Sequence, residues 1–195
     1  NQDFHERIKL IKSVIISGPP AIGKTTVAKG IGKEFDLRHL SGGDILKELA
    51  QDEGFEIGGD NWWDTSDGMS FLSHRQENYD FDKKVDEKLK KLFLEGNVVI
   101  TSYTLPWLIE GGVKIWLAGS RENSAKRMTV RDNVSIKDAI EIVQKRYDEN
   151  KKIYKSLYGF EFGEDLSVFD KVIETDNLDA EQVLEIAKST AREFF

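Results

Sequence analysis

Apolar residues fall along this chain either in short unbroken runs or at positions that recur every three or four residues. The first run, Val14-Ile15-Ile16 within Lys12 to Ser17, has the length and β-branched character of a strand buried on both faces, and it stops at a glycine followed by two prolines. Val27, Ile31 and Phe35 then repeat at four-residue spacing, which lays an apolar stripe along a helix. A short strand at about Leu37 to Leu40 and a helix from about Asp44, carrying Ile45, Leu46, Leu49 and Ala50, come next. Phe81, Val85, Leu89 and Leu92 mark another amphipathic helix, followed by apolar strands at Asn97 to Thr101 and Val113 to Leu117. A fifth strand is predicted at Lys171 to Thr175, and a closing helix from about Asp179 to Phe195 with Ala180, Val183, Leu184, Ala187 and Ala191 on one face. Strands apolar on both faces need cover on both sides, so the pattern predicts a doubly wound α/β sandwich around a parallel sheet.

One stretch breaks the pattern. From Asp52 to Asp80 the chain holds Gly54, Gly58, Gly59, Gly68 and the pair Trp62-Trp63 without sustained periodicity, and reads as an irregular or partly helical insertion. Trp116, inside a predicted strand, reads as core, whereas the Trp62-Trp63 pair suits either packing or stacking on a base.

Composition narrows the function classes. The 195 residues, 39% hydrophobic and 32% charged, fit one domain spanning 1–195. No apolar run is long enough for a membrane span, and Asn1 to Lys12 is polar and charged, so a cytoplasmic monomer without a membrane partner is expected. The absence of cysteine excludes disulfides and thiolate metal sites, and His5, His39 and His74 lack metal-ligand spacing. A net charge of -7 argues against a nucleic-acid partner. Against that background Arg121 to Lys155 carries ten basic and six acidic residues, among them Arg121, Arg127, Arg131 and Arg146, around a helix start at Ser135 with Asp138 three residues on.

The most specific signal is Gly18-Pro19-Pro20-Ala21-Ile22-Gly23-Lys24-Thr25, which fits G-x-x-x-x-G-K-[ST] between a predicted strand and a predicted helix. The two glycines let the backbone wrap a phosphate while successive N–H groups and the helix N-terminus point at the anion. Lys24 is then placed to reach the β- and γ-phosphates, Thr25 to offer a hydroxyl to Mg2+, and Thr26 to support the α-phosphate side. A chance glycine turn capping a helix is the competing reading, and the strand-loop-helix setting disfavours it. ATP with Mg2+ is the expected ligand.

Together with Ser41-Gly42-Gly43-Asp44-Ile45-Leu46-Lys47, Lys114-Ile115-Trp116-Leu117, Tyr158-Gly159 and the stretch Asp165 to Asp170, this loop resembles the nucleoside monophosphate kinases, most closely the compact archaeal type of cytidylate kinase, over most of the chain. The resemblance implies a P-loop three-layer α/β/α sandwich with a five-stranded parallel sheet, an acceptor-binding insertion at 41–80 and an arginine-bearing lid at 121–155. It implies ATP- and Mg2+-dependent phosphoryl transfer to a nucleoside monophosphate, CMP or dCMP. Arg127 would then lie near the adenine, Arg131 and Arg146 would join Lys24 in clamping the transferring phosphates, and Ser41, Asp44, Lys47 and Tyr103 would face the acceptor.

The departures are specific. Where the resemblance implies an acid and then an arginine after the third strand, this chain has Thr101-Ser102-Tyr103, which leaves Asp44 as the best remaining acid for Mg2+-bound water. Lys47 and Ile153 stand at two further arginine positions, and lysine keeps the charge but loses the bidentate fork. Arg75, in the insertion, is the candidate to restore a hold on the acceptor phosphate, against the plainer reading of a solvated loop arginine. A kinase for another small acceptor, or a nucleotide-binding regulator with little transfer activity, therefore stays open.

Overall fold

Side chains decide which face of each strand meets which layer, and the computed structural model describes residues 12–59, 62, 65–75 and 79–195, apart from the side chains of Leu72 and Arg75. Among them five strands run parallel in one sheet: β1 (Ser13–Ser17), β2 (Arg38–Ser41), β3 (Val98–Thr101), β4 (Val113–Ala118) and β5 (Lys171–Glu174), in the order β2-β3-β1-β4-β5. β1 is central, pairing Ile15 with Ile100 of β3 on one side and Lys114 of β4 on the other. Val14, Ile15 and Ile16 are fully buried, as an unbroken apolar run in a two-sided parallel sheet requires.

The period of two sorts these residues between layers. Val14 and Ile16 face a core completed by Val27 and Ile31 of helix α1 (Lys24–Phe35) and by Val183, Ala187 and Ala191 of the last helix (Ala180–Arg192). Ile15 faces the opposite core, built from Ile45 and Leu46 of α2 (Gly42–Asp52), Phe71 of α3 (Ser66–Arg75) and Val85, Leu89 and Phe93 of α4 (Asp80–Glu95). Past β3 the short α5 (Leu105–Leu108) leads to β4, and α6 (Arg121–Asp132) and α7 (Ile136–Tyr158) follow it. These two helices share a core of their own, Ala125, Met128, Ala139 and Val143. Side-chain oxygens start several helices: Ser135 accepts from the Asp138 N–H at the head of α7, as its spacing predicts, and a reciprocal Asp179–Gln182 capping box opens the last helix, α8.

One detail departs from the sequence reading, one agrees with it and one decides between its alternatives. The buried stripe of α4 continues to Phe93 rather than Leu92, the residue that keeps four-residue spacing from Leu89. The insertion is partly ordered as α3. Trp62 is only 2% exposed, packs against Phe71 and donates Nε1–H to the Glu56 carbonyl at 2.5 Å, so it belongs to the core and not to a base-stacking surface. Trp63 lies outside the described residues.

Leu89 is fully buried between α4 and the sheet. Leu89→Ala should lower the unfolding free energy by ~2–5 kcal/mol through lost transfer energy and a residual cavity. A urea titration checks this, and an unchanged midpoint would contradict the packing described.

Candidate active site

The chain leaves β1 toward the β2 edge of the sheet and returns through β3 to continue on the other side of β1 at β4, so a crevice opens at the carboxyl ends of the central strands. The loop 18–23 fills the exit from β1. Gly18 lies so close to β4 that a Cβ there would stand 2.6 Å from the Leu117 carbonyl oxygen. Gly23 takes φ 105° as the N-cap of α1 and brings no side-chain acceptor to the first N–H groups of the helix, which leaves them to an incoming anion.

Beside this loop lies a cavity of about 560 Å3. Ala21, Ile22, Gly23, Lys24, Thr25 and Thr26 line it, and Gly18, Pro19 and Pro20 are not among its lining residues. The Lys24 ammonium donates to the carbonyls of Gly18 (3.1 Å) and Pro19 (2.6 Å) and sits 4.7 Å from the centroid of the Tyr103 ring. Burial, and then the nearby Arg146, hold its pKa well below the ordinary lysine value.

The cavity also gathers Ser41, Asp44, Lys47 and Tyr103 from the sheet edge and α2, and Arg127, Arg131 and Arg146 from α6 and α7. Ser41 caps α2 by accepting from the Asp44 N–H at 3.4 Å. Lys47 is buried, donates to the Gly59 carbonyl at 3.2 Å and lies 3.9 Å from the exposed Asp44 carboxylate. Arg146 donates to the Tyr103 hydroxyl at 3.4 Å, and Arg131 makes a two-pronged contact with the Asp132 carboxylate, 2.6 Å on each arm. The Arg75 side chain lies outside the described residues.

Sequence reasoning missed the acids of α4. Asp82 and Asp86, one turn apart, are 5% and 4% exposed and line the same cavity, so Asp44 is not its lone carboxylate. Each directly follows an apolar position of α4, Phe81 and Val85, and that adjacency to the buried stripe was the available signal. Thr104 Oγ1 donates to Asp86 Oδ1 at 2.5 Å, and the Tyr158 hydroxyl donates to Oδ2. Burial nonetheless dominates and pushes the Asp86 pKa up to about 6, with Asp82 raising it further against the two hydrogen bonds and Lys90. His39 was likewise passed over. It lines the cavity with a buried Nε2 that has no hydrogen-bond partner among the described residues, and burial holds its pKa below the ordinary imidazole value.

The oxygen donors present suit Mg2+. Thr25 and Asp44 share the cavity, and among the described residues no group of three or more His, Cys, Asp or Glu could hold a metal ion by itself. That donor set fits an ion held mainly by phosphate oxygens and water. Among the described residues no helix is long and apolar enough to cross a membrane.

Residues 13–177 match the Cytidylate kinase-like family. The chain is 34% identical over 179 residues to a cytidylate kinase of Sulfurisphaera tokodaii, covering 90% of this chain and 93% of that protein. It is 33% identical over 176 residues to a cytidylate kinase of Pyrobaculum islandicum, covering 89% of each. A shikimate kinase structure from Bacteroides thetaiotaomicron superposes with a TM-score of 0.55 at 12% identity, covering 94% of this chain and 97% of that one, and shares the P-loop kinase fold.

The raised pKa of Asp86 sets a pH dependence of stability. A carboxyl whose pKa is higher folded than unfolded stabilises the fold fully below its unfolded value, near 3.8, and loses that contribution as pH rises through about 6. Raising pH from 4 to 7 should therefore lower the unfolding free energy of the wild type relative to Asp86→Asn by up to ~3 kcal/mol, about two pKa units. Urea unfolding at several pH values measures the difference, and a pH-independent one would place the carboxyl in a water-like setting.

Proposed function

The chain belongs to the cytidylate kinase-like family, and we propose that it moves the γ-phosphoryl group of ATP onto a pyrimidine nucleoside monophosphate, CMP or dCMP. The observation that carries this reading is that the phosphate loop, the arginines of α6 and α7, and the α2 and α4 walls share one cavity, large enough to bring a donor and an acceptor together.

In this reading ATP lays its phosphates along Gly18 to Thr26. Lys24 exchanges the Gly18 and Pro19 carbonyls for phosphate oxygens, a move its disfavoured buried charge encourages. Arg127 borders the adenine, while Arg131 and Arg146 close on the transferring group from the lid at 121–155. Cations fixed where charge spreads over that group supply the catalysis, since phosphoryl transfer needs positioning and neutralisation rather than a covalent residue. Ser41, Asp44, Lys47 and Tyr103 form the acceptor wall, with Arg75 of the insertion at 41–80 as a further hold on its phosphate. Thr25, and Asp44 through water, would hold Mg2+, which neutralises phosphate charge when bound. The protein acts as a monomer in the cytoplasm.

A kinase for another small acceptor is the second reading. It is favoured by the tyrosine that stands where the family resemblance implies an arginine against the acceptor phosphate. Incubation with ATP, Mg2+ and a panel of CMP, dCMP, UMP, AMP, GMP and small hydroxylated metabolites separates the two. ATP binding without transfer to any acceptor would point to a regulator instead.

Lys24→Ala should lower kcat by on the order of 100–1,000-fold while weakening ATP binding much less, because the lysine's charge is worth most in the transition state. Steady-state kinetics beside calorimetric ATP titration test this. Undiminished turnover would remove Lys24 from the chemistry.

A further inference from the structure

Charge is unevenly placed in the cavity. Lys24 and Lys29 come from the phosphate loop and α1, and the three arginines from α6 and α7, so this side suits phosphates. The α4 wall instead presents two buried acids, Asp82 and Asp86. A nucleotide bridging the cavity would therefore turn its phosphate to the cations and its uncharged end to α4.

We infer that Asp86 distinguishes a 4-aminopyrimidine from a 4-oxopyrimidine, its carboxylate accepting a hydrogen bond from the exocyclic amino group of the acceptor base. This rests on the reading of the protein as a pyrimidine nucleoside monophosphate kinase. Three elements fix Asp86: α4 carries it, Thr104 of the segment after β3 donates to one oxygen, and Tyr158 at the end of α7 donates to the other. A carboxylate offers about four lone-pair directions, so each oxygen can accept once more. Ionised, it can only accept, and whatever meets it must bring an N–H or O–H. Ribose hydroxyls are common to CMP and UMP and cannot separate them. Position 4 can, being a donor in cytosine and an acceptor in uracil, and an acceptor placed against a buried carboxylate leaves both groups unpaired. The raised pKa of Asp86 accords with this: burial leaves its charge under-solvated, and a ligand N–H would replace part of the lost hydration.

The test compares kcat/KM for CMP and UMP in the wild type, Asp86→Asn, Asp82→Asn and Tyr158→Phe. Asparagine can turn an N–H toward the uracil oxygen, so Asp86→Asn should shrink the CMP-over-UMP preference by on the order of 10–100-fold. Tyr158→Phe, which removes a clamp but keeps the acceptor, should leave the preference in place. A merely structural Asp86 would lower both activities together and leave their ratio unchanged, which overturns the inference. A ratio that collapses in Asp82→Asn but not in Asp86→Asn overturns it as well. Should Asp86→Asn fail to fold, the wild type decides with the 2-pyrimidinone nucleoside monophosphate, which lacks any group at position 4. Use of that compound as efficient as that of CMP overturns the assignment, and a loss on the order of 10–100-fold supports it. A wild type inactive on CMP sinks the functional reading and this inference with it, whereas activity on CMP with an unmoved ratio sinks the inference alone.

Discussion

The phosphate loop can leave β1 only by running against the end of β4, because Gly18 lies where any side chain would strike the Leu117 carbonyl oxygen. The rest of the site follows from this close approach. Held against β4, the loop turns through Ala21 and Gly23, both at positive φ, and delivers Lys24 as the first residue of α1. The helix then begins directly over the carboxyl edge of the sheet with its first N–H groups uncapped by a side chain. The same tight turn brings the Lys24 ammonium back over the Gly18 and Pro19 carbonyls and up to the Tyr103 ring. Three-layer packing holds the arrangement: β1 is buried on both faces, and displacing its end would disturb two cores at once.

The cavity stores unfavourable charge of both signs. Burial lowers the pKa of Lys24 and raises that of Asp86, so both charged forms are less well solvated than they would be in water. Removal of either from solvent costs free energy, which under the proposed function a nucleotide would offset, by phosphate at Lys24 and by a hydrogen-bond donor at Asp86. Groups prepaid in this way need little reorganisation when substrate arrives, which is the electrostatic meaning of preorganisation.

Much of the sheet was legible because two-sided burial leaves an unmistakable trace, as in Val14-Ile15-Ile16 and Ile115-Trp116-Leu117, and the phosphate loop was legible because its geometry demands glycine at fixed places. Ser135 was readable as a cap from the acid three residues on. The α4 acids were not, since periodicity marks the apolar stripe of a helix and says nothing of whether its flank meets solvent or a cavity. That depends on α2, α7 and the segment after β3 closing around the flank, contacts far apart in sequence. Ile153 shows the converse. It stands where the family resemblance implies an arginine, and here it is fully buried with Trp116, Tyr154 and Phe162 in an aromatic cluster, a setting that an arginine's charge would not tolerate unpaired.

Tyr103 concentrates these themes. The resemblance implies an arginine there, yet the position lies 4.7 Å from the Lys24 ammonium and within 3.4 Å of the Arg146 guanidinium. Those two cations already repel each other enough for Arg146 to lower the lysine's pKa. A third cation between them would deepen that penalty. Tyrosine instead turns the negative face of its ring to Lys24 and its hydroxyl oxygen to Arg146, attracting both without adding charge. What is given up is a bidentate donor for the acceptor phosphate. Under the proposed function, that phosphate would instead be held from α2 and from the arginines of α6 and α7, leaving the α4 wall to the base.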